Sequence, residues 1–350
     1  MSITRNNHFV PQMYLKYWAH NNKRVWAYNL LVPHPNVPNW KEESLKNTGF
    51  RTDLYTHIKD NEELDEIERF LAQECETPAD APLRKAISGN SLTKEELSIL
   101  LRFVAAQCVR TPAWYLKQVE TWKSTLPPVF DKTLLDLSKK LETIRPNTPL
   151  PSISSEANLL PLKVSRTGVK TGDKEFIKVE SIIGKGMWLF AIKHFLTDTY
   201  KVLEQHTWKV VNSLPGTFFP TSDDPVICLN YYDKDDYDFN GGWGKPGGEI
   251  LFPLSPNKIL YTQIGSEYHD NHFPPHVNTM IIKMIIEHAH RKVYSYKPIR
   301  SISNIHSRTV DSAIFEHERK QLEEWHSLYK RFESDYMNKS HIGQILQLCP

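Results

Sequence analysis

Two adjacent carboxylates near the middle of the chain are the first residues that could do chemistry. Asp223 and Asp224 follow Ser222 and precede a proline and an apolar run, so two carboxylates and a hydroxyl should project from a turn at the edge of a sheet. Such a pair could hold Mg²⁺ or Mn²⁺, or activate a water molecule. The alternative is a Ser/Asp turn whose side chains accept hydrogen bonds from backbone N–H groups.

The first predicted strand supplies a histidine. His8, Gln12 and Tyr14 are an even number of residues apart, so an extended strand would place all three side chains on one face. His8 is suited to proton transfer near neutral pH, and Gln12 and Tyr14 could orient a substrate. Histidine and aromatic side chains in a first strand could equally seal the core, each with one hydrogen bond.

Three basic residues could neutralise an anion. Arg102 and Arg110 are eight residues apart, about two helical turns, and would share one helix face if the helix persists that far. Together with Lys16 they could bind a phosphate or a carboxylate, which the planar guanidinium grips well. The alternative for Arg110 is an interaction with the C-terminal end of a helix dipole.

Two further segments resemble metal sites only in part. Residues 236–241 match the first six positions of an EF-hand loop, but the twelfth position is Gly247 instead of glutamate, which favours a solvated acidic loop. His269, His272 and His276 recur closely, but prolines between the last two disrupt the helix that would align them. Ordinary surface histidines are the simpler interpretation.

The remaining motifs mainly exclude functions. His288 and His290 lie two residues apart in a predicted helix, so they should point in different directions and are not expected to chelate a metal together. The sequence lacks a GxSxG elbow, a P-loop and a GxGxxG fingerprint. Serine hydrolases, P-loop nucleotidases and Rossmann oxidoreductases are therefore disfavoured, and no nucleotide-cofactor motif is present.

Composition sets few limits on partners. The 43 Lys and Arg residues and 41 Asp and Glu residues leave a net charge of +2, which does not by itself indicate nucleic-acid binding. The four cysteines are dispersed without a CxxC pair, and the sequence shows neither a signal peptide nor an apolar run of membrane-spanning length. We therefore expect a cytoplasmic protein without membrane partners, disulfides or structural zinc.

The hydrophobic pattern predicts an α+β fold in which a mostly antiparallel sheet is flanked by helices. A capping box formed by Thr93 and Glu96 precedes an apolar stripe with helical spacing that ends at Cys108, and Pro112 should break this helix. A preceding helix should end near residues 78–82, where two prolines occur. Short β-type runs after Trp208, separated by Pro, Gly and Asp, predict the antiparallel sheet.

The same pattern divides the chain into three parts and a tail. Residues 1–144 should form an N-terminal strand segment followed by a helical middle section. Residues 145–174 are rich in Pro, Ser, Thr, Gly and Asn and predict a linker or a long excursion. Residues 175–335 should contain a helix, the antiparallel sheet and C-terminal helices, and could pack with the first part as one globule, leaving residues 336–350 as a tail.

Six short segments along the chain form a recognisable series. They are His8 to Lys16 with the sequence HFVPQMYLK, Val25 to Tyr28, Arg110 to Pro112, Thr221 to Val226, Phe252 to Pro256, and Asn278 before a helix ending at Arg291. In this order they resemble the landmarks of a bacterial family catalogued as domain of unknown function number 4238. The resemblance spans about residues 8–296 and fades from about Ile302. It implies family membership but transfers no catalytic role, because the family has no assigned activity.

A carboxylate turn, a histidine strand and a basic helix end together match the needs of phosphate hydrolysis. We therefore hypothesise a phosphoester-cleaving enzyme of nuclease type that acts on nucleic acid or on a phosphorylated small molecule. In this hypothesis Asp223 and Asp224 hold the metal or activate water, His8 transfers a proton and Arg110 neutralises phosphate charge. The alternative is a non-catalytic sensor, or a module that binds a protein or a nucleotide, in which the same residues stabilise turns.

Overall fold

The computed structural model describes residues 3–21, 23–59, 62–143, 162–168 and 175–338. Within these residues, mostly antiparallel sheets are flanked by helices, and a run of helices occupies the middle of the chain. The predicted α+β class with a helical middle section is therefore confirmed. None of the described helices is long and apolar enough to cross a membrane.

The N-terminal residues form short strands around one short helix. The helix α1 (Gln12–Leu15) follows the first strand. The first strand pairs with the fifth, so that Asn7 lies opposite Arg51 and His8 lies opposite Phe50. The strands are β1 (Asn6–His8), β2 (Arg24–Asn29), β3 (Leu31–Val32), β4 (Trp40–Ser44), β5 (Phe50–Thr52), β6 (His57–Lys59) and β7 (Glu62–Leu64).

The predicted extended strand through His8, Gln12 and Tyr14 is wrong beyond His8. Pro11 has φ −64° and ψ 143° and stands at the start of α1. A proline is tolerated there because a backbone N–H at that position would have no acceptor within the helix. The side chains of His8 and Gln12 still meet, since their Nε2 atoms lie 3.3 Å apart. Tyr14 instead turns into the core, where its ring stacks on Phe252 at a centroid distance of 5.1 Å.

The middle section is almost continuously helical. The helix predicted to end near residues 78–82 continues through this region. A π-helical segment, which is wider than an α-helix, precedes Pro78. Pro78 then lies in the first turn of the next helix, where its missing N–H costs no hydrogen bond. The elements are α2 (Glu66–Phe70), a π-helical segment (Leu71–Glu76), α3 (Thr77–Ile87), α4 (Lys94–Val109) and α5 (Pro112–Thr143).

The start and the end of α4 agree with the prediction. The Thr93 hydroxyl accepts a hydrogen bond from Glu96 N at 3.2 Å, and the Glu96 carboxylate accepts one from Thr93 N at 2.7 Å, which completes the capping box. The helix ends at Val109, Arg110 caps it, and Pro112 begins α5. Arg110 therefore stands at the predicted break.

The second half of the described chain completes two sheets. One has the strand order β10-β15-β14-β12-β13, and the other, β11-β16-β2-β4, joins late strands to early ones. The elements are β8 (Leu162–Gly168), β9 (Glu175–Ser181), α6 (Lys185–Thr197), β10 (Lys209–Asn212), β11 (Thr221–Ser222), β12 (Ile227–Tyr231), β13 (Tyr237–Asp238), β14 (Glu249–Ser255), β15 (Lys258–Gln263), α7 (Pro275–His288), β16 (Lys292–Ser295), α8 (Ile302–Ile305), β17 (Thr309–Val310) and α9 (Ser312–Asn338).

The proposed division into domains stays a prediction. Most of residues 145–174 and all of residues 339–350, which make up most of the predicted tail, lie outside the described residues. The largest apolar core combines Tyr14 and Phe103 from the first half with Phe252 from the second. Residues on both sides of the predicted boundary therefore share one core.

Candidate functional site

Asp223 organises the loop between α7 and β16. Its carboxylate is buried and accepts two backbone hydrogen bonds, from His290 N to Oδ1 at 3.0 Å and from Arg291 N to Oδ2 at 2.9 Å. Its own N–H donates to Lys292 O at 3.0 Å. Burial raises the pKa of Asp223, and the charge of His290 together with the backbone donors opposes that rise. The carboxylate thus aims the side chains of two basic residues.

Arg291 carries the most ordered charge pair in this region. Its Nε donates to Glu318 Oε2 at 2.9 Å and its Nη2 donates to Glu318 Oε1 at 2.5 Å, so the guanidinium grips the carboxylate with two parallel bonds. The two side chains are 37% and 31% exposed. A ligand in solvent could therefore reach this position.

Arg51 is near enough to this pair for the charges of Arg291 and Glu318 to act on its guanidinium. Its guanidinium sits over the Phe9 ring at 5.7 Å and donates no hydrogen bond to any other residue that the structure describes. Burial lowers the pKa of Arg51 to about 10, with Arg291 lowering it further and the charges of Asp223 and Glu318 opposing the change. Arg51 is therefore still charged at neutral pH.

His290 completes the group. Burial lowers its pKa below the ordinary histidine value, the nearby charges of Arg291 and Arg51 act in the same direction, and Asp223 and Glu318 oppose them. The lowered pKa favours the neutral form of the imidazole at neutral pH. We call these side chains the Arg291 cluster, defined as Arg51, Asp223, His290, Arg291 and Glu318.

Asp224 faces away from its neighbour and pairs with a different histidine. Its Oδ2 lies 3.6 Å from His288 Nε2, while His288 Nδ1 lies 3.0 Å from the Asp224 backbone oxygen. The Thr111 hydroxyl donates to Asp224 Oδ1 at 3.0 Å, and the Ser222 hydroxyl donates to Asp224 O at 2.8 Å. Burial raises the pKa of Asp224, and the charge of His288 opposes the rise. The His288 and Asp224 side chains, 14% and 15% exposed, therefore lie close together without a direct hydrogen bond between ring and carboxylate.

The two carboxylates thus have separate partners. No group of three or more His, Cys, Asp and Glu side chains is arranged to hold a metal ion within the described ranges. The EF-hand-like segment instead forms β13, and its Asp238 accepts hydrogen bonds from Asn230 Nδ2 and Asn240 N, both at 2.7 Å. His288 ends α7 and His290 lies beyond that helix, so the predicted helix does not contain both; the His288 ring contacts Asp224, and the His290 backbone N–H donates to Asp223.

A second charged cluster surrounds Arg110, which is completely buried. Its Nη1 donates to Glu76 Oε1 at 2.6 Å, its Nη2 donates to the His8 backbone oxygen, and its own backbone oxygen accepts a hydrogen bond from Tyr55 Oη at 2.6 Å. Burial by itself would lower the pKa of Arg110, but Glu76, Tyr55 and Glu68 together raise it. Burial raises the pKa of Glu68 to about 7. We call this group the Arg110 cluster, defined as His8, Tyr55, Glu68, Glu76 and Arg110.

The three cations predicted to share an anion are instead paired separately. Each one contacts a different carboxylate of the helical middle section. The partners of Arg102 and Arg110 lie in the π-helical segment, and the partner of Lys16 lies in α3. The negative charges are therefore supplied by the chain itself. The pairs are Lys16 with Asp80 at 2.8 Å, Arg102 with Glu74 at 2.9 Å and Arg110 with Glu76 at 2.6 Å.

Tyr14, predicted to bind the substrate, and His8, predicted to transfer a proton, also contact other residues of the chain. The Tyr14 hydroxyl donates to Pro253 O at 2.8 Å and lies 2.7 Å from Thr221 Oγ1. Burial lowers the pKa of His8, which packs against the Phe50 ring at 5.5 Å. The strand β5 joins the two clusters, since Phe50 contacts His8 and the next residue, Arg51, belongs to the Arg291 cluster.

Sequence reasoning missed Arg51, Arg291 and Glu318 as a group. The local signal nearest to them is the consecutive His290 and Arg291 at the end of a helix, which carries no motif. Arg51 and Glu318 lie hundreds of positions apart and meet only through β5 and α9. No local sequence pattern predicts that these residues lie close together.

Comparison with known proteins provides the family. A family described as "Protein of unknown function (DUF4238)" has a model that matches residues 6–298. No curated protein and no solved structure gives a significant match. The matched range contains Arg51, Asp223, His290 and Arg291, whereas Glu318 lies beyond it. The chain belongs to this family.

Proposed function

We propose that the chain is a non-catalytic sensor or binding module for a phosphorylated ligand, such as a nucleotide, and that Arg51, His290 and Arg291 form its anion-binding site. The observation that carries this proposal is the unpaired guanidinium of Arg51 beside a second arginine. The side-chain nitrogens of Arg51 have no hydrogen-bond partner among the described residues and are not sealed from solvent, so a ligand could bind to them.

The geometry around these residues favours an anion. Two guanidinium groups offer planar forks that match the oxygens of a phosphate, and partial burial strengthens their attraction because it lowers the local dielectric. Asp223 holds the backbone N–H groups of His290 and Arg291, so the loop is positioned before a ligand binds. A preorganised site loses less conformational entropy on binding.

The Arg110 cluster supports the same proposal by contrast. Arg110 is fully buried, and its charge faces Glu76 and Glu68. A phosphate would have to replace those carboxylates inside the core, at a desolvation cost of several kcal/mol for each ion. The predicted role of Arg110 in phosphate binding is therefore assigned in the proposal to Arg51 and Arg291.

Calorimetric titration with pyrophosphate and with ATP tests the proposal. At low ionic strength, where screening is weakest, we expect the wild type to bind and Arg51→Met and Arg291→Met to lose at least about 10-fold in affinity. Arg319→Met is the matched control, because Arg319 contacts Glu316 and Glu323 on the exposed face of α9. Unchanged binding by Arg51→Met would contradict the proposed site.

Phosphoester cleavage is the second candidate function. The Asp224 and His288 pair favours it, because a carboxylate and an imidazole, side chains of the kinds that transfer protons, lie 3.6 Å apart, and Asp224 is next to Asp223 in sequence. In this version Arg51 and Arg291 hold the phosphate of a nucleic acid or of a phosphorylated small molecule. Mg²⁺ or Mn²⁺ would then enter with the substrate phosphates.

A cleavage assay separates the two candidates. Single-stranded and duplex DNA, RNA and nucleotides are incubated with the wild type, Asp224→Asn, His288→Ala and His8→Ala in Mg²⁺, in Mn²⁺ or in EDTA. If cleavage occurs and depends on the pair, Asp224→Asn and His288→Ala lose about 10²- to 10⁴-fold in rate while keeping the wild-type melting temperature. Absence of cleavage in every condition leaves the binding module.

We also propose a cytoplasmic location for this function. The free thiols of Cys75, Cys108 and Cys228 support this proposal, because a reducing compartment keeps cysteines from forming disulfides. Nucleotides and other phosphorylated metabolites are ligands of that compartment. Alkylation of unreduced protein from cells, followed by mass spectrometry, should find these three thiols modified.

A further inference from the structure

We infer that Glu318 is an internal competitor for the anion site, so that its carboxylate occupies the position of the ligand's phosphate and lowers the affinity of the site. The inference rests on the proposed function, because it assigns regulation to the same three basic residues. The Glu318 carboxylate is the group that now takes both bonds from the Arg291 fork, at 2.9 and 2.5 Å. A carboxylate and a phosphate present similar paired oxygens to a guanidinium.

The electrostatics of Glu318 reach the whole site. The charges of Arg291, His290 and Arg51 all act on its carboxyl group, and the hydrogen bond from Arg291 is the largest of the causes that hold the pKa of Glu318 below its usual range. The carboxylate therefore interacts with every basic residue that the proposal assigns to the ligand. Two anions cannot share this position without strong repulsion, so a ligand has to displace Glu318.

Displacement requires only the side chain to move. The Glu318 side chain is 31% exposed and can rotate into solvent. The helix that carries it is held elsewhere, by pairing of β17 with β3 and by Tyr329, which is 6% exposed. His326 adds further contacts, since its Nδ1 lies 3.3 Å from Lys185 Nζ and its Nε2 lies 3.0 Å from Glu63 Oε1. The body of α9 thus stays docked while Glu318 leaves.

The source of the competitor supports a regulatory role. The family match ends at residue 298, whereas Glu318 lies in α9 (Ser312–Asn338). The basic residues of the site belong to the matched range, and the carboxylate that neutralises them belongs to a segment that follows it. In this inference, the segment after the family match supplies the competitor for a site within the matched range.

Calorimetric titration of pyrophosphate into Glu318→Gln tests this inference. Glutamine keeps the size of the side chain and removes its charge, so we expect pyrophosphate to bind about 10-fold more tightly than to the wild type. Glu323→Gln is the matched control, because Glu323 pairs with Arg319 at 2.8 Å on the exposed face of the same helix. Its affinity for pyrophosphate should equal that of the wild type.

The outcomes separate this inference from the proposed function. If the wild type binds pyrophosphate through Arg51 and Arg291 but Glu318→Gln binds equally or more weakly, the competition is refuted and the site stands. If neither the wild type nor Glu318→Gln binds, the anion site is refuted and the competition with it. Binding that appears only in Glu318→Gln would support both.

Discussion

The Arg110 cluster and the Arg291 cluster are built from the same types of side chain but differ in charge balance and exposure. Each contains an arginine paired with a glutamate from another element, and each contains a histidine. Arg110 is fully buried among two glutamates, whereas Arg291 is 37% exposed and has a second arginine beside it. Arg110 thus faces two carboxylates by itself, whereas in the Arg291 cluster two arginines face two carboxylates.

Asp223 leaves less negative charge for these arginines than a simple count suggests. Its two carboxylate oxygens are taken by the backbone N–H groups of His290 and Arg291. Glu318 is then the carboxylate that pairs directly with a guanidinium group, that of Arg291. In the Arg110 cluster, by contrast, Glu76 pairs directly with Arg110 and Glu68 lies close enough to act on its charge.

The largest effect on stability should come from replacing Arg110, the arginine of the buried cluster. Arg110→Met leaves Glu76 without its cation and exposes no new route to water, so we expect a loss of about 3–5 kcal/mol in the free energy of unfolding. Denaturant unfolding followed by circular dichroism measures it. A loss below about 1 kcal/mol would show that the two clusters do not differ as described.

Asp223→Asn should have the next largest effect. An asparagine oxygen can accept one of the two backbone hydrogen bonds, but its NH₂ group would face the other N–H donor. We expect a loss of about 1–3 kcal/mol in the free energy of unfolding, together with loss of pyrophosphate binding. Ser266→Ala, at an exposed turn, serves as a control for the unfolding measurement.

The pH dependence of stability should reveal Glu68. Its pKa is raised in the folded state from 4.5 to about 7 by burial, so ionisation of Glu68 penalises the folded state as the pH rises from about 4.5 to 7. Glu68→Gln removes this penalty of about 1–3 kcal/mol. The free energy of unfolding of Glu68→Gln minus that of the wild type should therefore be more positive at pH 8 than at pH 4. A constant difference between the two proteins over this range would contradict the raised pKa.

The smallest effect on stability should come from Arg51→Met. Arg51 donates no hydrogen bond to another described residue and lies beside the like charge of Arg291, so we expect a change of less than about 1 kcal/mol in the free energy of unfolding. Thermal and denaturant unfolding measure it on the same variant that is used for binding. A loss as large as that of Arg110→Met would make Arg51 a structural residue and remove the contrast between the clusters.

Local rules were sufficient for several elements. The capping box at Thr93, the helix that follows it and the break at Pro112 all depend on neighbours within four residues, and the structure agrees with each. The helix boundary expected near Pro78 failed, because a π-helical segment shifted that proline into a first turn where it is tolerated. The extended strand through Gln12 failed because Pro11 begins a helix.

The sequence predicts the types of side chain at the candidate site but not their contacts. The carboxylates at Asp223 and Asp224 were recognised from their turn, but their partners were not, since the two side chains diverge toward His290 and His288. The structure brings His8 and Arg110 together, yet through a backbone oxygen instead of the imidazole. Neither feature follows from spacing along the chain.

The amino-acid sequence by itself determined the α+β class, the family, the main helix and the residue types available for anion chemistry, because periodicity, capping and short motifs act over a few residues. Only the tertiary structure decided which charges are neutralised. Arg110 meets Glu76 across 34 positions and Arg51 comes beside Asp223 and Glu318 across far more. Burial and charge pairing are properties of such long-range encounters, and they distinguish a buried arginine that holds the core from one that remains available to a ligand.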